Sequence, residues 1–147
     1  MAESPAARAH GVRTIARPGE TGRLGEDAAA EHLRRLGLEI LGRNVRTAAG
    51  EIDLIAADRA TIAFVEVKTT RARGSRHERA NAEARLAHAL ERVGRRQRAR
   101  LRGLALDWLR EQPAMLRAGR ELRFDAVAVV LDGRGRLLAL EHLEGAW

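Results

Sequence analysis

The chain has 147 residues and a formal net charge of +7, and almost all of its 27 basic side chains are arginines. The length suits one domain with a real core, and the absence of cysteine excludes disulfides and thiolate-bound zinc. Four aromatic residues are too few for a base-stacking platform, whereas arginine favours phosphate partners, so we expect a protein that binds nucleic acid, and DNA in particular. No segment resembles a membrane helix or a signal peptide, which predicts a cytoplasmic protein without a membrane partner.

The first elements are a tail, a helix and a strand. Residues 1–19 are small and polar, and they predict a disordered tail. Apolar residues then recur on one helical face, which predicts a helix from Thr21 or Gly22 to about Leu36. A strand is expected over 38–46, and it turns into the stretch that carries the candidate chemistry.

Two apolar stretches, 50–57 and 62–68, predict a β-hairpin because charges recur at alternate positions. Only a short gap separates the two stretches, which favours antiparallel pairing. Strict alternation places Ile52 and Leu54 on one face of the first strand and Asp53 on the other.

Asp53 and Glu66 are predicted to face each other across this hairpin, roughly 5 Å apart at Cβ. Two carboxylates among apolar neighbours repel each other with little screening, and a hard cation such as Mg²⁺ relieves that repulsion. Lys68 projects from the same face as Glu66, where it is placed to orient or deprotonate a water. The alternative is a set of solvated side chains on the polar face of a half-exposed sheet.

A long helical pattern extends from about His77 to Glu111, with a break expected at Gly94 and an end at Pro113. An arginine-rich loop precedes it, and arginines cluster again after the break. We expect these side chains to contact phosphates, although solvated arginines are the alternative. The candidates are Arg71, Arg73, Arg76, Arg95, Arg96 and Arg98.

The last part of the chain predicts two more strands. A nearly continuous apolar run from Arg123 to Leu131 suggests a central strand. Asp125 lies at its start and is expected to meet an arginine or a backbone amide, because an unpaired buried charge is costly. A turn and an edge strand over 136–142 follow, and residues 144–147 are expected to form a short tail.

Several of these stretches form an ordered set that resembles a known family. They are Gly22-x-x-Gly25-Glu26-x-x-Ala29, Leu33-x-x-x-Gly37, Asn44, Gly50-Glu51-Ile52-Asp53-Leu54-Ile55, Phe64-Val65-Glu66-Val67-Lys68, Ala105-x-x-Trp108-Leu109 and Arg123-Phe124-Asp125. The set is similar to the YraN-like uncharacterised bacterial family of the PD-(D/E)xK nuclease superfamily, distantly similar to archaeal Holliday junction resolvases. The resemblance implies one domain over residues 20–143 with an α/β, restriction-endonuclease-like core, in which helices flank a central mixed β-sheet.

The resemblance also implies a metal-dependent catalytic site on the hairpin. Asp53, Glu66 and the Val67 carbonyl would hold Mg²⁺ or Mn²⁺, and Glu26 would act as a third carboxylate, directly or through a water. Lys68 would align the attacking water.

One position departs from the family pattern. The family has a lysine eleven positions before the Trp-Leu pair, where this chain has Gln97, with Arg96 beside it. Gln97 can orient a water or a phosphate but supplies no charge, and the sequence leaves open which of the two residues replaces the lysine.

The sequence therefore predicts a metal-dependent endonuclease that acts on DNA phosphodiesters, with branched or damaged DNA as substrate candidates and a homodimer as a candidate assembly. Two alternatives stay open. One is a non-catalytic nucleic-acid-binding or adaptor protein that retains the nuclease fold. The other is an interaction partner within a larger machine.

Overall fold

A computed structural model of the protein describes residues 19–72 and 78–147. In chain order the elements are α1 (Glu20–Arg35), β1 (Glu39–Thr47), β2 (Gly50–Ala57), β3 (Thr61–Arg71), α2 (Glu78–Glu91), α3 (Arg95–Glu111), α4 (Pro113–Arg117), β4 (Glu121–Leu131) and β5 (Leu137–Leu143). The predicted break at Gly94 is confirmed. Residues 1–18 of the predicted tail, and the loop candidates Arg73 and Arg76, lie outside the described residues. None of the helices in the described ranges is long and apolar enough to span a bilayer.

The five strands form one mixed sheet in the order β1-β2-β3-β4-β5, as the resemblance implies. The pairs β1–β2, β2–β3 and β4–β5 are antiparallel, and β3–β4 is parallel. A parallel pair needs a crossover connection, and here the segment with α2, α3 and α4 provides it. β4 is paired on both sides, with β3 and β5, so the prediction that its apolar run forms an interior strand of the sheet is confirmed.

Helices cover both faces of the sheet. On one face, here called the α1 face, Ala30 and Leu33 of α1 pack against Val65 and Val127. The opposite face is the α2/α3 face. There α3 covers Phe64 and its neighbours in β2, whereas α2 covers the ends of β3 and β4 around Ala72, Ala128 and Val130. The domain is therefore an α/β sandwich with a nuclease-like core.

The alternation of β2 breaks at Asp53. Leu54 packs on the α1 face, but Ile52 packs with Ile55 on the α2/α3 face, so the prediction that Ile52 and Leu54 share a face is wrong. The residue that faces Asp53 across the β1–β2 ladder is Asn44, whose backbone is left-handed with φ 46°. Such a conformation twists a strand locally, and the twist rotates the positions before Asp53 relative to those after it.

Asp125 is fully buried at the start of the apolar stretch of β4. Its carboxylate accepts two hydrogen bonds from Arg123 at 2.9 Å, one from the Gly145 N–H at 3.0 Å, and contacts His142 Nε2 at 2.9 Å. Burial alone would raise the pKa of Asp125, but the bonds from His142, Arg123 and Gly145 outweigh it, and the pKa is lowered. The predicted arginine and amide partners are confirmed, and they tie the C-terminal residues to the sheet.

Candidate active site

The β2–β3 hairpin brings Asp53 and Glu66 together. The ladder between the two strands has the predicted register, and its last pair is Leu54 with Val65. Asp53 and Glu66 are therefore the next facing positions, just beyond the ladder. Here the Val67 N–H donates to Asp53 Oδ2 at 2.8 Å, so the side chain of Asp53 lies against the backbone of β3.

The surroundings of this carboxylate pair disfavour a negative charge on Asp53. Burial raises the pKa of the Asp53 carboxyl from 3.8 to about 7, and the charge of Glu66 adds to the increase. The hydrogen bond from the Val67 N–H and the charge of Lys68 oppose it only in part. A second carboxylate within electrostatic reach disfavours ionisation of the first, so the pair resists carrying two negative charges at neutral pH without a cation.

Glu66 has two donors, and both reach the same oxygen. Lys68 Nζ lies 2.9 Å and Gln97 Nε2 lies 2.6 Å from Glu66 Oε1. Gln97 belongs to the first turn of α3 and faces the sheet, whereas its neighbour Arg96 is exposed. The structure therefore places Gln97, rather than Arg96, beside Glu66 at the position where the resemblance implies a lysine.

Glu26 approaches the pair but does not join it. α1 lies very close to β3, since a Cβ added at Gly25 would be 1.8 Å from Thr69 Oγ1. This contact positions the next residue, Glu26, near Asp53, and its charge contributes to the raised pKa of Asp53. However, Glu26 Oε2 accepts a hydrogen bond from Asn44 Nδ2 at 2.9 Å. Across residues 19–72 and 78–147, no three acidic or histidine side chains converge on one metal position.

The two carboxylates nonetheless fit a hydrated divalent cation. Only Oδ2 of Asp53 and only Oε1 of Glu66 have hydrogen-bond partners in the described part of the chain. Each carboxylate thus keeps one oxygen for another ligand, and Mg²⁺ commonly binds one or two carboxylates and keeps several waters. Asp53 and Glu66 are the residues that would hold the ion, and ligation by the Val67 carbonyl and by Glu26 stays a prediction.

Comparison with known proteins identifies the family. The model of "Uncharacterised protein family UPF0102" matches residues 25–129. The chain belongs to the UPF0102 family. This is the YraN-like family, so the resemblance seen in the sequence is confirmed. The matched segment contains Glu26, Asp53, Glu66 and Gln97.

Relatives align with nearly the whole chain. A UPF0102 protein of Pelotomaculum thermopropionicum is 39% identical over 126 residues, which is 86% of this chain and 93% of that protein. A relative from Frankia casuarinae is 40% identical over 86% of this chain and 94% of its own length. A relative from Beutenbergia cavernae is 41% identical over 84% of this chain and 92% of its own length. The family is uncharacterised, so membership alone assigns no activity.

Two of the predicted phosphate-binding arginines of this UPF0102 protein make contacts within the protein, and their contact with phosphate stays a prediction. Arg71 lies on the α1 face, away from Glu66, and its Nη1 donates to the Gly133 carbonyl at 3.3 Å. Arg98 Nε donates to the Val93 carbonyl at 3.1 Å, and its guanidinium lies 5.6 Å from the ring centroid of Trp147. Arg71 thus contacts the loop after β4, and Arg98 contacts the loop before α3 and the C-terminal residue.

The other candidates in α3 are open to solvent. Arg95 and Arg96 are exposed, and within the described residues neither makes a hydrogen bond or an ion pair. They lie one and two positions before Gln97 in the first turn of α3. Their contact with phosphate stays a prediction.

Arg100 is a further candidate that the sequence reasoning did not select. Its guanidinium packs on the turn between β1 and β2, where a Cβ at Gly50 would be 2.4 Å from Arg100 Nη2. Together with Arg46 it lines a cleft of about 480 Å³ beside this turn. The sequence contains a signal for this candidate: Arg100 lies three residues after Gln97, and residues three apart share one face of a helix.

Proposed function

We propose that this UPF0102 protein is a divalent-metal-dependent endonuclease that acts on DNA phosphodiesters, with branched or damaged DNA as the preferred substrates. The observation that carries the proposal is the facing pair of Asp53 and Glu66. Both carboxylates are mostly shielded from water. Burial, together with the charge of Glu66, raises the pKa of Asp53 to about 7, and each carboxylate keeps one oxygen without a hydrogen-bond partner in the described part of the chain.

Each residue around the pair has a definable task. Asp53 and Glu66 would hold Mg²⁺ or Mn²⁺, which when bound supplies activation of a water and stabilisation of charge on phosphorus. The Val67 N–H fixes the orientation of Asp53. Gln97 fixes that of Glu66 without adding charge, because its neutral amide donates to Oε1.

Lys68 is the candidate that contacts the reacting groups. Its Nζ lies 2.9 Å from Glu66 Oε1, and 27% of its side chain is exposed, so it stands between the carboxylate and solvent. From that place it can orient a water toward phosphorus and donate a hydrogen bond to a phosphate oxygen. The exposed Arg95 and Arg96 then position the sugar–phosphate backbone.

The test is a cleavage assay with linear, single-stranded, flap and four-way DNA, and with matched RNA, in Mg²⁺ or Mn²⁺. We expect Glu66→Ala and Lys68→Ala each to lower the cleavage rate by roughly 100-fold or more, with binding largely retained. Glu141→Ala serves as the control, because this exposed acid lies on the edge strand β5. Equal cleavage by wild type and all variants would reveal a contaminating nuclease and leave the proposal without support.

One observation favours the non-catalytic alternative. A neutral amide, Gln97, occupies the position beside Glu66 where the family pattern has a lysine. Loss of that charge weakens phosphate stabilisation, as in a nuclease fold that only binds nucleic acid. Salt-sensitive binding that is unchanged in Asp53→Ala, together with no metal-dependent cleavage, would favour this role. Cleavage gained by Gln97→Lys would identify the missing charge as the cause.

A further inference from the structure

A second cleft continues the candidate active site along β3. Its volume is about 380 Å³. Thr70 of β3 lines it on one side, and Asn81, Arg85 and His88 of α2 line it on the other. The three α2 residues lie four and then three positions apart, which places them on one side of the helix.

This cleft and the carboxylate pair lie along the same face of β3. Glu66, Lys68 and Thr70 occupy alternate positions of β3, so all three face the α2/α3 side, and Thr70 lies about 7 Å beyond Lys68. Phe64 and Ala72 occupy the same set of alternate positions of β3; α3 covers Phe64, and α2 covers Ala72. The three polar residues lie between those two covered positions.

The polar groups around the cleft have no partners in the described part of the protein. Thr70 Oγ1 is buried and makes no hydrogen bond there, and Asn81, Arg85 and His88 make none either. A buried hydroxyl without a partner destabilises a fold, so its presence calls for a ligand or another role. One guanidinium, one amide, one imidazole and one hydroxyl surround the same volume.

We propose that this cleft binds one nucleotide of the nucleic acid, next to the phosphodiester that the proposed metal site at Asp53 and Glu66 acts on. This inference depends on the proposed function for its ligand class. Arg85 binds the phosphate, and Asn81 and Thr70 hydrogen-bond the edge of the base. The volume lies within the range of small-ligand pockets and is too small for a duplex, so the bound nucleotide is unpaired. Flaps, junctions and damaged DNA provide such nucleotides.

The test measures binding of deoxynucleoside monophosphates by NMR titration in EDTA, with inorganic phosphate and the free deoxynucleoside as comparison probes. We expect the monophosphate to bind more tightly than either part. Arg85→Ala and Thr70→Val should each weaken it by roughly 5- to 10-fold. Arg92→Ala is the matched control, because this exposed arginine follows α2 and does not line the cleft.

Thr70→Val provides a readout that a purely structural role would not give. Valine has nearly the shape of threonine and lacks the unpaired hydroxyl, so the variant should unfold at a temperature higher by roughly 4 °C while binding the nucleotide more weakly. A more stable variant with unchanged binding would overturn the inference. Equal affinity for phosphate and monophosphate would also overturn it, since the base would then make no contact.

The outcomes separate this inference from the proposed function, because the titration needs neither metal nor cleavage and is repeated in Glu66→Ala. Nucleotide binding at the cleft in a protein that cuts no substrate would support the inference and refute the nuclease. Metal-dependent cleavage that is indifferent to Arg85→Ala and Thr70→Val, in a protein that does not bind the monophosphate, would do the reverse.

Discussion

Replacement of Asp53 with asparagine should stabilise the metal-free protein at pH 8 and have little effect near pH 4. Asparagine keeps an oxygen that can accept the hydrogen bond from the Val67 N–H, but it carries no charge. The variant therefore isolates the cost of an ionised Asp53 beside Glu66 from the contribution of the hydrogen bond.

The sign and the size follow from the raised pKa. Because the pKa of Asp53 rises from 3.8 to about 7, the folded protein keeps a proton that the unfolded chain has already released over that interval. The free energy of unfolding therefore falls as the pH increases from about 4 to about 7, and then levels off. At about 1.4 kcal/mol per pH unit the full difference is about 4 kcal/mol. Solvent reaches part of the side chain, so we expect about 2 kcal/mol.

The measurement is urea unfolding in EDTA between pH 4 and pH 8. Wild type should lose stability across this range relative to Asp53→Asn, and the two curves should converge at the acidic end. Glu51→Gln is the control, because Glu51 lies on the same strand but pairs with Arg46 at 3.6 Å, outside the carboxylate pair. Added Mg²⁺ should stabilise wild type more than Asp53→Asn, since a ligand stabilises the state that binds it.

Parallel curves for wild type and Asp53→Asn over the whole pH range would refute the reasoning. They would mean that Asp53 ionises normally in the folded state. The two carboxylates would then coexist without strain, and their need for a cation, on which the proposed nuclease depends, would disappear.

Three further predictions concern other parts of the chain. Gly25→Ala should cost about 2 to 3 kcal/mol of unfolding free energy, because the added Cβ would overlap β3, whereas Gly22→Ala, with open space around it, should be neutral or stabilising by up to about 1 kcal/mol. Thermal unfolding of the two variants compares them directly, and equal effects would contradict the close contact. Asp125→Ala should lower the free energy of urea unfolding by roughly 3 kcal/mol, because it removes the buried carboxylate that joins the partly buried Arg123 and His142 to the Gly145 N–H; a loss below about 1 kcal/mol would count against that network. Gln97→Lys should stabilise the metal-free protein at pH 8 and reduce the further stabilisation by Mg²⁺, which thermal unfolding with and without the ion would show. An increased response to Mg²⁺ would oppose this prediction.

Local sequence patterns were sufficient for the hairpin and the helices. The period of two in 50–57 and 62–68, with a short gap between them, predicted the strands and the observed register. Gly94 marked the break between two helices because glycine weakens a helix interior. The carboxylate pair was therefore accessible from the sequence, because it depends on contacts within one hairpin.

The incorrect predictions concern residues whose environment depends on segments that are distant in the sequence. Ile52 packs on the side opposite to the one that alternation predicts, next to the point where the neighbouring strand has the left-handed backbone of Asn44. Arg71 was assigned to a loop because β3 was predicted to end at Lys68, but the strand continues and its alternation turns Arg71 to the α1 face. The contact of Arg98 with Trp147 was likewise not predictable, because no local pattern connects the C-terminal residues to α3.

The parallel pairing of β3 with β4 has a consequence for how the site assembles. Asp53 and Glu66 are 13 residues apart and meet as soon as their hairpin closes, whereas Gln97 reaches Glu66 only after the crossover has been laid over the sheet. The two carboxylates therefore repel each other before the Gln97 amide reaches Glu66 and orients it. A divalent ion of the kind proposed would therefore meet the two carboxylates while helix α3 is still undocked.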